Sequence, residues 1–131
     1  MARPPPADTP ARRRKQAAHA RGVVAEQRAA AELEAKGFTI LERRLRTKAG
    51  ELDLVARRGD LLVFCEVKLR GDLAQAAESL LPRQRRRIAA AAEAYLATRP
   101  ELMALDMRFD AILLTLDGAC EHLEGAFELE A

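Results

Sequence analysis

The spacing of apolar residues predicts three helices. From Lys15 to Lys36 apolar side chains recur every three or four positions, as on one face of an amphipathic helix, and Gly37 follows as a helix-ending residue. The same spacing predicts a helix over Arg83–Thr98, with Pro82 in a favourable position at its start. A shorter helix is predicted over Leu73–Leu81.

Continuous apolar runs predict the strands. We expect strands at Phe38–Arg43, Gly50–Ala56, Leu61–Lys68, Met107–Leu116 and Cys120–Leu123. The second and third of these flank a short break that contains Gly59, so they are predicted to form a β-hairpin. With 131 residues the chain has the length of a single domain. The pattern therefore predicts one α/β domain in which helices flank a central mixed sheet.

Charged residues interrupt both apolar strands of the hairpin. Side chains alternate between the two faces of a strand, so Glu66 and Lys68 share one face. The hairpin is predicted to turn at Arg58–Gly59, which places Asp53 opposite Phe64. Glu66 is then the diagonal neighbour of Asp53, about 7 Å away between β-carbons. Two carboxylates and one ammonium therefore converge on one face, as in a divalent-metal site with a lysine beside it.

These converging charges have two explanations. In the first, Asp53, Glu66 and the Val67 carbonyl bind Mg²⁺ or Mn²⁺, because hard cations prefer oxygen ligands. Lys68 then orients an attacking water or neutralises charge on a phosphate. Glu51 has the same strand parity as Asp53 and is a secondary candidate. In the second explanation the charges form a buried ion-pair network on the sheet.

One further acid, Asp110, lies near the start of the last long apolar strand. Its position favours a structural hydrogen bond or ion pair over a catalytic role, because a buried acid needs a partner. His122 is not predicted to be a metal ligand, since the predicted metal site is rich in carboxylates.

The net charge of +2 is distributed unevenly. Residues 1–14 are rich in proline and arginine and are predicted to form a disordered basic arm ahead of a folded domain at 15–131. The arm is either a solvated tail or a contact for nucleic acid. Aromatic residues make up 4% of the chain, too few for a single-strand-binding platform of stacked aromatic side chains.

Cysteine usage and hydropathy indicate the compartment. Cys65 is predicted to pack in the core, and Cys120 is the other thiol. The sequence shows neither a secretory signal nor an apolar run of the roughly 20 residues that span a membrane. We therefore expect a protein of the reducing cytoplasm with no membrane contact.

A cluster of arginines occupies the first turn of the helix predicted over Arg83–Thr98. Its members are Arg83, Arg85, Arg86 and Arg87. Cations at a helix N-terminus oppose the helix dipole. Their placement is explained either by contact with phosphate groups or by a solvated face with acidic neighbours.

The hairpin sequence as a whole resembles the YraN-like family of uncharacterised bacterial proteins, from GELDLVA at Gly50–Ala56 to LLVFCEVK at Leu61–Lys68. Its Asp followed by Glu-x-Lys is also similar to the PD-(D/E)xK signature of nucleases. The resemblance extends over about Arg21–Phe127. It implies a restriction-endonuclease-like fold, similar also to that of archaeal Holliday-junction resolvases, with Asp53, Glu66 and Lys68 as catalytic residues.

The same resemblance bears on residues outside the hairpin. By spacing, Glu26 lies on the packed face of the first helix and forms either a salt bridge to an arginine or a third carboxylate near the metal. Nucleases with this signature often carry a catalytic acid there. We predict a nucleic-acid-binding set of Arg43, Arg46, Arg70, Arg83, Gln84, Arg86 and Arg87.

Three features depart from the family pattern. Arg44 stands where the family commonly has Asn, and Gln84 stands where it usually has Lys. The loop after Lys68 is also shorter than usual, which weakens the case for substrate contacts carried by that loop.

The leading functional hypothesis is a metal-dependent nuclease that hydrolyses phosphodiester bonds in DNA, with branched or flapped DNA among the candidate substrates. One alternative is a non-catalytic nucleic-acid-binding module of the same fold. Another is a protein-interaction role with a vestigial acidic site. Symmetric resolution of a four-way junction would require a homodimer, which the sequence neither indicates nor excludes.

Overall fold

The computed structural model describes residues 8–127, whose five strands form one sheet in the order β1-β2-β3-β4-β5. In chain order the elements are α1 (Pro10–Ala35), β1 (Thr39–Thr47), β2 (Gly50–Arg58), β3 (Leu61–Arg70), α2 (Leu73–Glu78), α3 (Pro82–Thr98), a 3₁₀ turn (Pro100–Ala104), β4 (Asp106–Thr115) and β5 (Cys120–Phe127). The β3–β4 pair is parallel and the other three pairs are antiparallel. The predicted single α/β domain with a mixed sheet is confirmed.

Helices cover both faces of the sheet. On one face, α1 packs Ala29 and Leu33 against a cluster that includes Val63 and Cys65, so the predicted core position of Cys65 is confirmed. On the other face, α3 packs Ile88 and its neighbours against a cluster built around Phe64. Aromatic rings strengthen this second core, where Phe64 stacks on Phe109 at 5.5 Å between ring centroids. The central strands β2 and β3 are therefore buried between two apolar layers.

The first helix begins earlier than its apolar spacing indicated. It starts at Pro10 rather than Lys15, because the Thr9 hydroxyl caps it by accepting the Arg12 N–H at 3.1 Å and Pro10 favours the first turn. Residues 10–14, which were predicted to belong to a disordered arm, therefore lie in α1. The rest of that predicted arm, residues 1–7, lies outside the described residues.

The hairpin turns one residue later than predicted. Arg58 pairs with Leu61, so the two-residue turn consists of Gly59 and Asp60, and Gly59 adopts a φ of +57° that favours glycine. The last regular pair of this ladder joins Leu54 to Cys65. Continuing this register places Asp53 opposite Glu66, so the predicted pairing of Asp53 with Phe64 is wrong by two residues. A shift of two residues preserves the face on which each side chain lies.

Other element boundaries move by a few residues. Strand β1 continues past Arg43 to Thr47, and β5 continues past Leu123 to Phe127, because pairing with β2 and β4 extends each of them. None of the described helices has the combination of length and apolar content that a membrane span requires.

Candidate functional site

The three predicted catalytic residues of the hairpin lie together at the end of the β2–β3 ladder. The Lys68 ammonium nitrogen lies 3.2 Å from Glu66 Oε1. Asp53 Oδ2 accepts the backbone N–H of Val67 at 2.8 Å, so a carboxylate takes the place of a strand partner where regular pairing has ended. The Asp53 and Glu66 carboxyl groups lie near enough to each other to affect each other's ionisation. The predicted convergence of two carboxylates and one ammonium is therefore present.

Burial makes the two carboxyl groups hard to ionise together. It is the main reason that the pKa of Glu66 rises from 4.5 to about 7, and the neighbouring Asp53 charge raises it further, whereas Lys68 opposes the rise. Burial also raises the pKa of Asp53, against the Val67 N–H and the Lys68 charge, which lower it. At neutral pH the pair therefore holds a proton for part of the time, and a cation placed between the carboxylates would release it.

Lys68 supplies part of the positive charge needed to balance the two carboxylates. Its residue is only 8% exposed, and a buried ammonium is costly unless it is paired. Lysine can bury its aliphatic chain while its charged end reaches a partner, and here the ammonium nitrogen contacts Glu66 of the acidic pair. The arrangement is a compact, desolvated site with two acids and one base.

Glu26 approaches the same site from α1 but is engaged by an arginine. Its Oε2 lies 2.8 Å from Arg44 Nε, which confirms the predicted salt bridge and identifies the partner. Burial raises the pKa of Glu26, and the nearby Asp53 charge raises it further. Its carboxylate is therefore close enough to sense the acidic pair. A third-carboxylate role for Glu26 stays a prediction.

Arg44 reaches Glu26 from an unusual backbone conformation. Its φ of +47° lies in the left-handed region, which costs roughly 1–2 kcal/mol for a residue with a β-carbon. Glycine adopts this region readily and Asn tolerates it better than most residues, so position 44 places a specific demand on the backbone. The ion pair with Glu26 helps to offset this backbone cost.

The oxygen donors of the site fit a hard cation bound by few protein ligands. Among residues 8–127, no three His, Cys, Asp or Glu side chains are grouped closely enough to form a metal cluster. Mg²⁺ is commonly held by one or two carboxylates, with waters and substrate phosphates completing its shell. Asp53 and Glu66 provide such a pair, so the donor set suits Mg²⁺ or Mn²⁺ and does not suit a closed zinc site.

The predicted nucleic-acid-binding residues fall into different surroundings. Arg43 forms an ion pair with Glu34 of α1 at 3.5 Å, about two helical turns beyond Glu26, and is not brought to the acidic pair. Arg46 lies 3.8 Å from Glu51 on the surface, so the secondary candidate Glu51 is engaged there. Arg70, in contrast, lines a cavity of about 310 Å³ together with Glu26.

The cationic start of α3 is exposed, as its sequence indicated. Arg83, Arg86 and Arg87 all lie on the surface, and within residues 8–127 none of them forms an ion pair.

Gln84 points inward, and its buried Oε1 has no hydrogen-bond partner in the described part of the chain. A β-carbon on Gly50 would lie 2.9 Å from Arg87 Cγ, so glycine permits this helix to approach β2 closely.

Asp110 has the structural role predicted for it. Its carboxylate is fully buried and receives two hydrogen bonds from Arg108, at 2.8 and 2.9 Å, and one from the Gly125 N–H. His122 Nε2 lies 2.7 Å from the same carboxylate. Burial alone would raise the pKa of Asp110, but these hydrogen bonds outweigh it and hold the pKa below its ordinary value. Asp110 therefore ties β4 to β5 rather than joining the acidic pair.

Two residues near the site were not predicted. Arg44 was noted only as a departure from a motif, and Arg21 was not assigned a role, although it lines the cavity beside Glu26. The helical spacing from Arg21 to Ala25 was the available indication for Arg21, because residues four apart lie on neighbouring parts of a helix surface. The contact of Arg44 depends on how α1 packs on β1.

Comparison with known proteins places the chain in one family. The model of uncharacterised protein family UPF0102 matches residues 25–114. A UPF0102 protein of Azorhizobium caulinodans is 78% identical over 130 residues, 99% of each chain. A UPF0102 protein of Rhodopseudomonas palustris is 50% identical over 112 residues, 86% of each chain, and one of a Bradyrhizobium species is 48% identical over 119 residues, covering 91% of this chain and 88% of the relative. The chain therefore belongs to the UPF0102 family, the YraN family that its hairpin sequence indicated.

Proposed function

We propose that this protein is a metal-dependent nuclease that hydrolyses phosphodiester bonds in DNA, with branched DNA as the first substrate class to test. The observation that carries the proposal is the convergence of Asp53, Glu66 and Lys68 at a buried point of the hairpin. The mixed sheet with an acid-bearing first helix further supports assignment to the restriction-endonuclease-like folds.

The chemistry of the donor set supports Mg²⁺ or Mn²⁺ as cofactor. Asp53 and Glu66 would hold the ion, with the Val67 carbonyl as a further oxygen donor. When bound, such an ion polarises a phosphate and lowers the pKa of a coordinated water. Because the pKa of Glu66 is about 7, binding of a cation at neutral pH would be coupled to release of a proton from the acidic pair.

The residues around the metal position would then act on the substrate. The Lys68 ammonium would orient the attacking water or neutralise charge that develops on the phosphate, in a site where desolvation strengthens that interaction. Glu26 would hold a water or a second ion on the α1 side. Arg70 at the cavity, with Arg83, Arg86 and Arg87 at the start of α3, would contact flanking phosphates.

Substitution of Asp53 by Asn tests the proposal directly. We expect affinity for Mn²⁺, measured by calorimetric titration, to fall about a hundredfold, because the site loses one of two carboxylates. Cleavage of a panel of duplex, flapped and four-way-junction DNA, with RNA alongside, is expected for the wild type only. Light scattering of the protein with the junction would show whether a homodimer forms. A folded wild type that binds no Mn²⁺ would refute the catalytic assignment.

A second candidate function is a nucleic-acid-binding module without turnover. It is favoured by a specific observation, which is that every acid of the site already has a partner within the protein. Asp53 accepts the Val67 N–H, Glu66 pairs with Lys68, and Glu26 pairs with Arg44. Salt-dependent DNA binding that survives Asp53→Asn, with no cleavage by the wild type under any metal condition, would support this candidate instead.

A further inference from the structure

We propose that the projecting half of α1, residues 10–21, contacts the sugar-phosphate backbone of a DNA duplex through the face that carries Arg14, Lys15 and Arg21. The proposal rests on the function proposed above and extends the substrate footprint beyond the acidic pair. It concerns a segment that lies in a helix rather than in a disordered arm.

Most of the projecting half of α1 lies outside the body of the protein. The buried residues of α1 are Ala25, Ala29, Ala30 and Leu33, all in its second half. Every residue from Arg13 to Arg21 is exposed. At 1.5 Å per residue, the eight residues from Pro10 to Ala17 extend about 12 Å beyond Ala18, the first residue of α1 that lines the cavity with β3. A helix of this length has marginal stability without packing, so a partner that covers it would stabilise it.

The charge of this segment identifies the chemistry of its partner. Residues 10–21 contain five cations and no Asp or Glu: Arg12, Arg13, Arg14, Lys15 and Arg21. Four of them fall in the first two turns, where cations oppose the helix dipole. Phosphate groups would relieve this unfavourable placement. A polyanion therefore fits the surface.

The segment lacks bulky apolar residues, and this favours a nucleic acid over an anionic membrane as its partner. Helices that lie on membranes bury a face of Leu, Phe or Trp, whereas alanine is the apolar side chain of residues 11–20. The same segment has no aromatic residue on which single-stranded bases could stack. Contact with the backbone of a duplex is the mode that these side chains support.

One face of the projecting half continues into the cavity that Glu26 lines. Ala18, Arg21 and Glu26 line the cavity of about 310 Å³, opposite Val67 and Arg70 of β3. Helical spacing of three and four residues places Arg14 and Lys15 one turn before Ala18 on this same face. Arg12 and Arg13 lie about 120–140° around the helix from Ala18 and point away from the cavity.

A comparison of two matched double variants tests this directionality. The first is Arg14→Gln with Lys15→Gln, on the cavity side, and the second is Arg12→Gln with Arg13→Gln, on the far side. Each lowers the net charge of the same helix by two, and the far-side variant also removes the ion pair that Arg13 forms with Asp8 at 3.1 Å. Gln has a helix propensity close to that of the residues it replaces. Binding of a fluorescein-labelled DNA duplex is measured by fluorescence anisotropy in EDTA over a KCl series, and circular dichroism verifies the helix.

The cavity-side variant is expected to bind the duplex about tenfold more weakly than wild type. The slope of log affinity against log salt concentration is expected to decrease in magnitude by about 2, one for each lost phosphate contact. The far-side variant is expected to remain within about twofold of wild type, because only long-range charge is lost. Equal losses in the two variants, or no loss in either, would overturn the proposed surface.

Measurement without metal separates this inference from the nuclease proposal. If the wild type binds duplex and only the cavity-side variant is weakened, but no metal supports cleavage, the surface stands and the nuclease function fails. If the wild type cleaves DNA and both variants bind equally well, the nuclease function stands and the surface fails. A wild type with no affinity for duplex at low salt also overturns the surface.

Discussion

Replacing Lys68 with methionine is expected to lower the rate of Mg²⁺-dependent DNA cleavage by about a thousandfold. Removal of one preorganised charge donor from a desolvated active site typically costs two to three orders of magnitude in rate. Lys68 is the buried cation of the acidic pair, with its ammonium 3.2 Å from Glu66. Methionine retains the length and the apolar packing of the lysine side chain while removing its charge.

The Lys68→Met variant also separates metal binding from catalysis. Without the ammonium, the two carboxylates lack their internal cation, so affinity for Mn²⁺ is expected to be retained or increased. This outcome contrasts with Asp53→Asn, in which affinity for Mn²⁺ is expected to fall about a hundredfold. Lys48→Met provides a matched control, because Lys48 is exposed in the turn between β1 and β2. Cleavage by Lys68→Met at a rate within tenfold of wild type would exclude a catalytic role for this residue.

The acidic pair could be predicted because short-range rules govern it. Strand alternation places Glu66 and Lys68 on one face, and a hairpin brings Asp53 beside them whenever the register has the correct parity. The position of the turn was harder to predict, because Gly59 can form a two-residue turn either with Arg58 before it or with Asp60 after it. The structure places the turn at Gly59–Asp60, and the resulting shift of two residues leaves the site on the same face.

The start of α1 illustrates how composition can conceal a local rule. A threonine followed by proline is a common helix start, and Thr9 and Pro10 form one in this chain. The prolines and arginines of residues 1–14 led to a prediction of disorder, although arginine is a good helix former.

Other parts of the site depend on packing between elements that are distant in sequence. The ion pair between Glu26 and Arg44 forms because α1 lies across β1 and because Arg44 adopts a left-handed backbone. Gln84 Oε1 is buried at the start of α3, the helix that approaches β2 closely at Gly50. Helical and strand periodicity indicate which face of an element is apolar, but they do not determine which side chains of two packed elements meet.

Conversion of Glu66 to glutamine is expected to remove most of the pH dependence of stability between about pH 5 and about pH 8. Folding raises the pKa of Glu66 from 4.5 to about 7, chiefly through burial. Between these two values the folded chain binds more protons than the unfolded chain, so the free energy of unfolding of the wild type falls as the pH rises. The shift corresponds to about 3 kcal/mol, lost progressively from about pH 4.5 to about pH 7.

Urea denaturation in EDTA at about pH 5 and about pH 8 measures this difference. Glu66→Gln is expected to have a stability similar to wild type at the lower pH and to exceed it at the higher pH, where the wild type bears two adjacent carboxylates. Glu78→Gln, on the exposed surface of α2, is the matched control and should keep the wild-type slope. Added Mg²⁺ should restore wild-type stability at the higher pH and have little effect on Glu66→Gln, because the ion binds the ionised pair. A wild-type stability that is flat across this range would mean that the acidic pair is not strained, and repulsion between its carboxylates would then not explain cation binding.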